Sequence, residues 1–247
     1  MEKSATLGTN RTGIDASPIH SKEMQTGAQS YAPTAGSVQN LDGFRLNFIA
    51  EADRLGSVPV PASAKGMLKT MMEKFAGNQP AVFVNKLGER LAFERSGVRI
   101  YESLMLKCQV AQQQGEMPFP IPMERMQQFH KEEAEHFALL VDCMRKLGVD
   151  PTAQTPDADV SGVASSGLMK VIQDSRTTVP QCLEAMLSIE MTDNAAWELL
   201  MQLAEDLGQN DMAERFRKAL AQEQVHLQEI RGWYEQSVRG QASGRTH

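Results

Sequence analysis

Two copies of one short motif carry residues that could bind a metal ion. Glu133 and His136 form a Glu-x-x-His pattern, and Glu223 and His226 form a second one. Residues three apart lie on one face of a helix, so the Glu and His of each motif could reach a single ion. One such motif arises often by chance in a helix rich in Glu. Two copies on core-facing positions are a much stronger indication of a metal site.

Carboxylates also interrupt the apolar seams of the other two long helical segments. The seam of a helix is the row of residues, spaced three and four apart, that faces the core. Each seam is apolar except near its middle. The residues at that level are Glu94, Glu133, His136, Glu190, Asp193, Glu223 and His226. Buried carboxylates are costly and repel each other unless a cation lies among them. Two imidazoles and several carboxylates suit a pair of transition-metal ions, with iron or manganese preferred.

Four long helices are needed to position these residues. The pattern predicts helices over 81–113, 123–147, 179–207 and 211–238, with Gly115, Gly148 and Gly208 at the ends of the first, second and third. The predicted seam of the first helix is Leu87, Leu91, Glu94, Val98, Tyr101, Met105 and Cys108. The predicted seams of the second, third and fourth helices are Met126, Phe129, Glu133, His136, Leu140, Cys143 and Leu147; Leu183, Met186, Glu190, Asp193, Trp197, Leu200 and Ala204; and Met212, Phe216, Ala219, Glu223, His226, Ile230 and Trp233. Residues 148–179 are too many for a tight turn and suit a crossover to the far end of a bundle. We therefore predict an all-α four-helix bundle with one long crossover between its second and third helices.

The sequence divides into three parts. Residues 1–60 are rich in small and polar residues without a lasting period, which predicts a flexible N-terminal tail. Within it, the apolar stretch Leu41–Phe48 could dock on the body, and a partner-binding or targeting role stays open. Residues 61–238 form the predicted bundle domain, which begins with a short N-terminal helix over 62–76. Residues 239–247 are a C-terminal tail.

Composition excludes several classes of protein. The net charge of −6 argues against a general nucleic-acid binder. No apolar run is long enough to span a membrane, and residues 1–10 lack the apolar core of a signal peptide, so we expect a cytoplasmic protein without membrane association. The three cysteines, Cys108, Cys143 and Cys182, form no CxxC motif, which excludes a zinc ribbon and a rubredoxin-type iron site.

The order of these motifs resembles the ferritin-like di-metal carboxylate superfamily, whose rubrerythrin-like and bacterioferritin-like members are four-helix bundles. The resemblance covers about residues 80–238. It implies two iron ions, or two manganese ions, held by the Glu and His residues above, with Glu133 or Glu223 or both as bridges and Glu94 and Glu190 more terminal. Tyr101, seven residues after Glu94, matches a Tyr that ferritins and rubrerythrins carry close to the metals, so it is the candidate catalytic residue.

Asp193 has two interpretations under this resemblance. It is either an extra shifting ligand, as in rubrerythrin-like proteins, or a group that orients a ligating His. Leu140 stands where the ribonucleotide reductase small subunit would carry its radical Tyr, which disfavours that family. The absence of paired cysteines excludes a full rubrerythrin. The tail and the long crossover disfavour a ferritin cage.

The expected function is therefore that of a di-iron oxidoreductase that reacts with O₂ or H₂O₂, as an oxidase, peroxidase or ferroxidase. A dimanganese catalase is one alternative. A metal-sequestering or stress-related binding protein, or a scaffold without turnover, is another. Side-by-side association of such bundles predicts a homodimer. His130 and Glu135 are expected off the site, and Trp197 and Trp233 are interpreted as core packing.

Overall fold

The computed structural model describes residues 17–31, 35–59, 80–117 and 119–243, and every regular element among them is a helix. The seven helices of these residues are α1 (Pro18–Ser30), α2 (Ala35–Glu51), α3 (Pro80–Gln113), α4 (Met123–Lys146), α5 (Pro156–Gln173), α6 (Val179–Asp206) and α7 (Asn210–Ala242). This confirms the all-α prediction. No helix within these ranges is long and apolar enough to cross a membrane.

Helices α1 and α2 belong to a compact unit separate from that of α3–α7. They lie where the sequence analysis predicts no regular structure. Helix α1 buries no residue, and the side chains of residues 41–51 on α2, including Leu41 and Phe48, are exposed. Periodicity reveals a helix only when one face is buried, which is why these two gave no signal. The predicted flexibility of this segment and the docking of Leu41–Phe48 stay predictions. The helix predicted over 62–76 lies outside the described residues.

The four long helices form two antiparallel pairs. Helix α3 packs on α4 and α6 packs on α7, and contacts of α3 with α6 and of α4 with α7 close the bundle. Between α3 and α6, Glu94 meets Trp197 while Tyr101 meets Glu190, so these helices also run antiparallel. At the opposite ends of the α4–α7 contact, Arg125 pairs with Glu229 and Arg215 pairs with Asp142.

Glycines end the long helices as predicted. Gly115, Gly148 and Gly208 follow α3, α4 and α6 with φ of 69°, 76° and 66°. This left-handed conformation closes a helix C-terminus and strains any residue with a Cβ. The C-terminal helix runs to Ala242, four residues beyond the predicted end at 238.

The crossover contains a helix of its own, α5, which packs on α3 and α6. Thr155 caps its N-terminus, where its Oγ1 accepts a hydrogen bond from the Ala158 amide at 3.4 Å. The same hydroxyl donates to the Asn85 carbonyl of α3 at 3.2 Å. Thr155 therefore joins the crossover to the bundle.

The buried seams agree with the predicted ones on three helices and shift on α3. The described seams of α4, α6 and α7 follow the predicted residues, apart from a half-buried Leu147. On α3, Gly97 and Leu104 are buried where Val98 and Met105 are predicted. The predicted seam follows large apolar residues and therefore omits Gly97. Because Gly97 has no side chain, the side chain of Glu133 can approach α3 at this point.

Candidate metal centre

One polar layer crosses the bundle between two apolar clusters. One cluster contains Tyr101 and Phe129, and the other contains Leu140 and Trp197. Seven acidic or imidazole side chains in the layer are at most 2% exposed. They are Glu94, Glu133, His136, Glu190, Asp193, Glu223 and His226. The fold thus brings together all seven residues that the sequence singles out.

Helical spacing explains why these side chains face inward. Residues 131–140 of α4 and 221–230 of α7 share one order of buried, half-buried and exposed positions. In both segments the Glu and the His three residues later are buried, and the two residues between them are exposed. Because α4 and α7 are antiparallel neighbours, the two motifs meet at one level.

Three ligand groups on one side of the layer form what we call the His136 position, defined by Glu94, His136 and Glu223. Their ligand atoms all lie within 4.8 Å of one another. Nδ1 of His136 is 2.6 Å from Oε1 of Glu223 and 3.7 Å from Oε2 of Glu94. An ion among these atoms would have one nitrogen and at least two oxygen ligands.

Glu133, Glu190 and His226 form the second group, the His226 position, with ligand atoms within 4.8 Å of one another. Nδ1 of His226 is 3.6 Å from Oε1 of Glu133 and 3.9 Å from Oε2 of Glu190. It also lies 3.2 Å from Oε2 of Glu223. The two oxygens of Glu223 therefore face one imidazole each, so this carboxylate could serve ions at both positions.

Asp193 shares the layer with a buried cation that the sequence analysis does not identify. Its Oδ1 is 2.7 Å from Nη1 of Arg90, and Nε of Arg90 is 3.2 Å from Oε1 of Glu94. Asp193 also lies in a four-carboxylate group with Glu94, Glu133 and Glu223. A charged residue four positions before Glu94, between Leu87 and Leu91, is the signal that could have identified Arg90.

Two aromatic side chains donate hydrogen bonds to the more terminal carboxylates. The Tyr101 hydroxyl donates to Oε1 of Glu190 at 2.5 Å, and the Trp197 indole donates to Oε1 of Glu94 at 2.9 Å. Both rings are fully buried. Trp197 thus does more than the core packing predicted for it, since it also holds a carboxylate of the layer.

The outer nitrogen of each imidazole contacts a side chain from the opposite motif. Nε2 of His136 is 3.0 Å from Oε1 of Gln222, and Nε2 of His226 is 2.7 Å from Oε2 of Glu132. In the neutral imidazole, a partner at Nε2 assigns the proton to that nitrogen and leaves Nδ1 as the atom that can bind a metal. Neither partner was predicted, although each precedes a motif Glu in the sequence.

Eight potential ligand atoms of the layer are buried without a well-directed hydrogen bond among the described residues, although Oδ1 of Asp193 forms an ion pair with Arg90. They are Oε2 of Glu94, Glu133 and Glu190, Oδ1 of Asp193, both carboxylate oxygens of Glu223, and Nδ1 of His136 and His226. An unsatisfied buried polar atom costs about 1–3 kcal/mol, more when it is charged. The convergence of eight such atoms from four helices fits bound cations, because oxygen and imidazole nitrogen donors are what iron and manganese prefer.

Burial, together with the charges of neighbouring carboxylates, raises the pKa of three carboxyl groups in the layer. Burial, followed by the charge of Glu223, raises the pKa of Glu190 to about 8. Burial and neighbouring carboxylates hold the pKa of Glu133 and that of Asp193 well above their ordinary values. Without a cation these groups take up protons.

The pKa values of the two imidazoles are also raised, but here the cause is contact with carboxylates. Burial lowers the pKa of His136, but the carboxylates of Glu223 and Glu94 outweigh it and raise the pKa to about 11. For His226, contacts with Glu132, Glu133 and Glu223 overcome burial and raise its pKa strongly. A metal ion must displace these protons to bind.

His130 and Glu135, which were predicted to lie outside the site, do lie outside the buried layer. His130 is partly exposed, with Nε2 3.2 Å from a Glu102 oxygen. Glu135 is exposed and lies 3.4 Å from Lys131.

The fold and this layer define a helical protein with a candidate di-metal carboxylate centre. Residues 121–237 match the family model described as Ferritin-like domain, and this match is consistent with the ferritin-like superfamily. The match contains the Glu and His residues of α4, α6 and α7, while Glu94 and Tyr101 lie before it on α3. Comparisons with curated proteins and with solved structures returned no significant match.

Proposed function

We propose that this chain is a di-metal carboxylate protein, with two iron ions as its cofactor, that reacts with O₂ or H₂O₂ as an oxidase, peroxidase or ferroxidase. The observation that carries the proposal is the convergence, in one buried layer, of eight potential ligand atoms that lack a well-directed hydrogen bond among the described residues. Tyr101, buried beside that layer, supports a reaction beyond storage of metal.

The charge of the layer supports two divalent ions. Five buried carboxylates and the guanidinium of Arg90 leave four net negative charges when both imidazoles are neutral. Two divalent cations neutralise that charge, whereas a single ion leaves half of it buried and uncompensated, which is costly. The His136 and His226 positions divide the donors into two sets of three.

Residues of the chain would hold the ions and control protons around them. Glu94, His136 and Glu223 would hold one ion, and Glu133, Glu190 and His226 the other, with Glu223 between them. Bound ferrous iron would supply the electrons that reduce O₂ or peroxide. Burial and the charge of Glu190 raise the pKa of Tyr101 well above its ordinary value, so its hydroxyl keeps a proton beside the reacting centre. The apolar clusters on both sides exclude bulk water from the layer.

Anaerobic reconstitution with Fe²⁺ tests the proposal. We expect about two iron ions per wild-type chain and iron-dependent consumption of O₂ or H₂O₂. A Glu133→Ala/His226→Ala double variant that stays helical should lose the metal and the consumption. Absence of bound metal after loading would overturn the di-metal proposal, and two bound ions without consumption would favour a metal-sequestering protein.

The ligand set also suits manganese, which keeps the dimanganese catalase as the second candidate. Loading with Mn²⁺ and measuring O₂ released from H₂O₂ separates the two. Faster disproportionation by the manganese form than by the iron form would favour the catalase.

A further inference from the structure

The two halves of the bundle repeat the same arrangement around the candidate centre. Glu94 and Tyr101 on α3 correspond to Glu190 and Trp197 on α6, because each pair is seven residues apart. Each aromatic residue donates to the Glu of the other helix. The Glu-x-x-His motifs of α4 and α7 correspond in the same way. Differences between corresponding positions therefore show how the two metal positions differ.

The first difference is the partner of each imidazole. His226 contacts the carboxylate of Glu132 at 2.7 Å, whereas His136 contacts the neutral amide of Gln222 at 3.0 Å. Glu132 is held in place by Gln128, whose amide donates to its other oxygen at 2.8 Å. A carboxylate behind a ligating imidazole makes it a stronger electron donor than an amide does, and such partners contribute about 10- to 100-fold in metal affinity.

The second difference is a buried cation, Arg90, beside the His136 position. Arg90, four residues before Glu94, corresponds to Met186, four residues before Glu190. Its guanidinium lies 3.2 Å from Oε1 of Glu94, a carboxylate of the His136 position, and 2.7 Å from Oδ1 of Asp193. A fixed positive charge beside Glu94 weakens the attraction of a second cation to the His136 position. Both differences favour the His226 position.

We propose that the two metal positions have unequal affinities, that the His226 position fills first, and that Glu132 is the positioning residue that sets this order through His226. The inference rests on the proposed di-metal function. It assigns the control of relative affinity to Glu132 and Gln222, which lie outside both sets of candidate ligands.

Titration of the metal-free protein with Co²⁺, followed by visible absorption and equilibrium dialysis, tests the order without any turnover. We expect two binding steps in the wild type. His226→Ala should remove the tighter step, and His136→Ala should remove the weaker one. Glu132→Gln should weaken the tighter step by about 10- to 100-fold and leave the weaker step unchanged.

The reciprocal variant distinguishes control of affinity from a structural role. Gln222→Glu should strengthen the weaker step, and the Glu132→Gln/Gln222→Glu double variant should reverse the order, which mere loosening of the fold would not do. Glu135→Gln, an exposed change on the same helix, is the matched control and should leave both steps unchanged. Circular dichroism of each metal-free variant checks that the helices remain.

Different results separate the inference from the proposed function. Two equal steps, loss of the tighter step in His136→Ala, or an unchanged titration in Glu132→Gln would overturn the order while leaving the di-metal function intact. No Co²⁺ uptake by the wild type would overturn both.

Discussion

The carboxylate of Glu133 occupies the space where a side chain on Gly97 would begin. A Cβ atom built on Gly97 would lie 2.0 Å from Oε2 of Glu133. Glycine in the middle of a helix costs about 1 kcal/mol relative to alanine. Its position in α3 is therefore explained by the carboxylate that crosses it, which α4 supplies to the His226 position.

Gly97→Ala should separate metal binding from stability. We expect Glu133 to turn away, so that affinity at the His226 position falls while the metal-free protein stays as stable as the wild type or becomes up to about 1 kcal/mol more stable. Metal titration and urea unfolding of the metal-free protein measure the two effects. Gly232→Ala on α7, where a Cβ meets nothing within 4 Å, is the control and should change only stability. Wild-type metal affinity in Gly97→Ala would contradict the prediction.

Gly88→Ala should lower the stability of the fold and leave metal binding unchanged. Its Cβ would lie 2.5 Å from both Cγ2 and Oγ1 of Thr155, a buried residue held between α3 and α5. Overpacking of this kind costs about 1–3 kcal/mol. We expect a lower urea midpoint for unfolding together with unchanged metal content. Wild-type stability would mean that the crossover can move away from α3 at little cost.

Tyr101→Phe should retain the metal and slow the reaction. The variant keeps the ring and removes only the hydroxyl that donates to Glu190. A hydrogen bond to a charged group contributes about 1.5–3 kcal/mol, so we expect the rate of O₂ or peroxide consumption to fall by about 10- to 100-fold. Trp197→Phe, which removes the corresponding donor to Glu94, is the matched comparison. An equal effect of both variants would argue against a catalytic role specific to Tyr101.

The metal-free protein should lose stability as the pH rises from about 5 to 8. The folded chain holds Glu190 with a pKa of about 8 and His136 with a pKa of about 11, against ordinary values of 4.5 and 6.5. Folding therefore binds protons in this range. The resulting stability is complete below the unfolded-state pKa values and is lost as pH rises through the folded ones. Urea midpoints in the presence of a chelator measure the decline, and a rising midpoint would contradict it.

Metal loading should release those protons. Calorimetric titration with Co²⁺ at pH 7 in two buffers of different ionisation enthalpy gives the number released per ion. We expect a net release that decreases as pH rises. An enthalpy that does not depend on the buffer would show that the ligands are already deprotonated before the metal binds.

Much of this arrangement could be predicted because helical spacing is a local property. A Glu and a His three residues apart share a face whatever surrounds the helix, and apolar seams identify that face as buried. The seams of α6 and α7 agree with prediction for this reason. The prediction is wrong on α3, where Gly97 and not Val98 faces the core. It also passes over α1, which buries no residue, and α2, whose described side chains at 41–51 are all exposed.

The sequence by itself determined which residue types reach the centre of the bundle and at what level. Only the tertiary structure decided which side chains contact each other there. Trp197 meets Glu94 and Tyr101 meets Glu190 because α3 and α6 are antiparallel neighbours. Glu132 and Gln222 contact opposite imidazoles because α4 and α7 pack side by side. Spacing along one helix specifies a face, whereas a partner on another helix depends on packing between helices, which no single segment encodes.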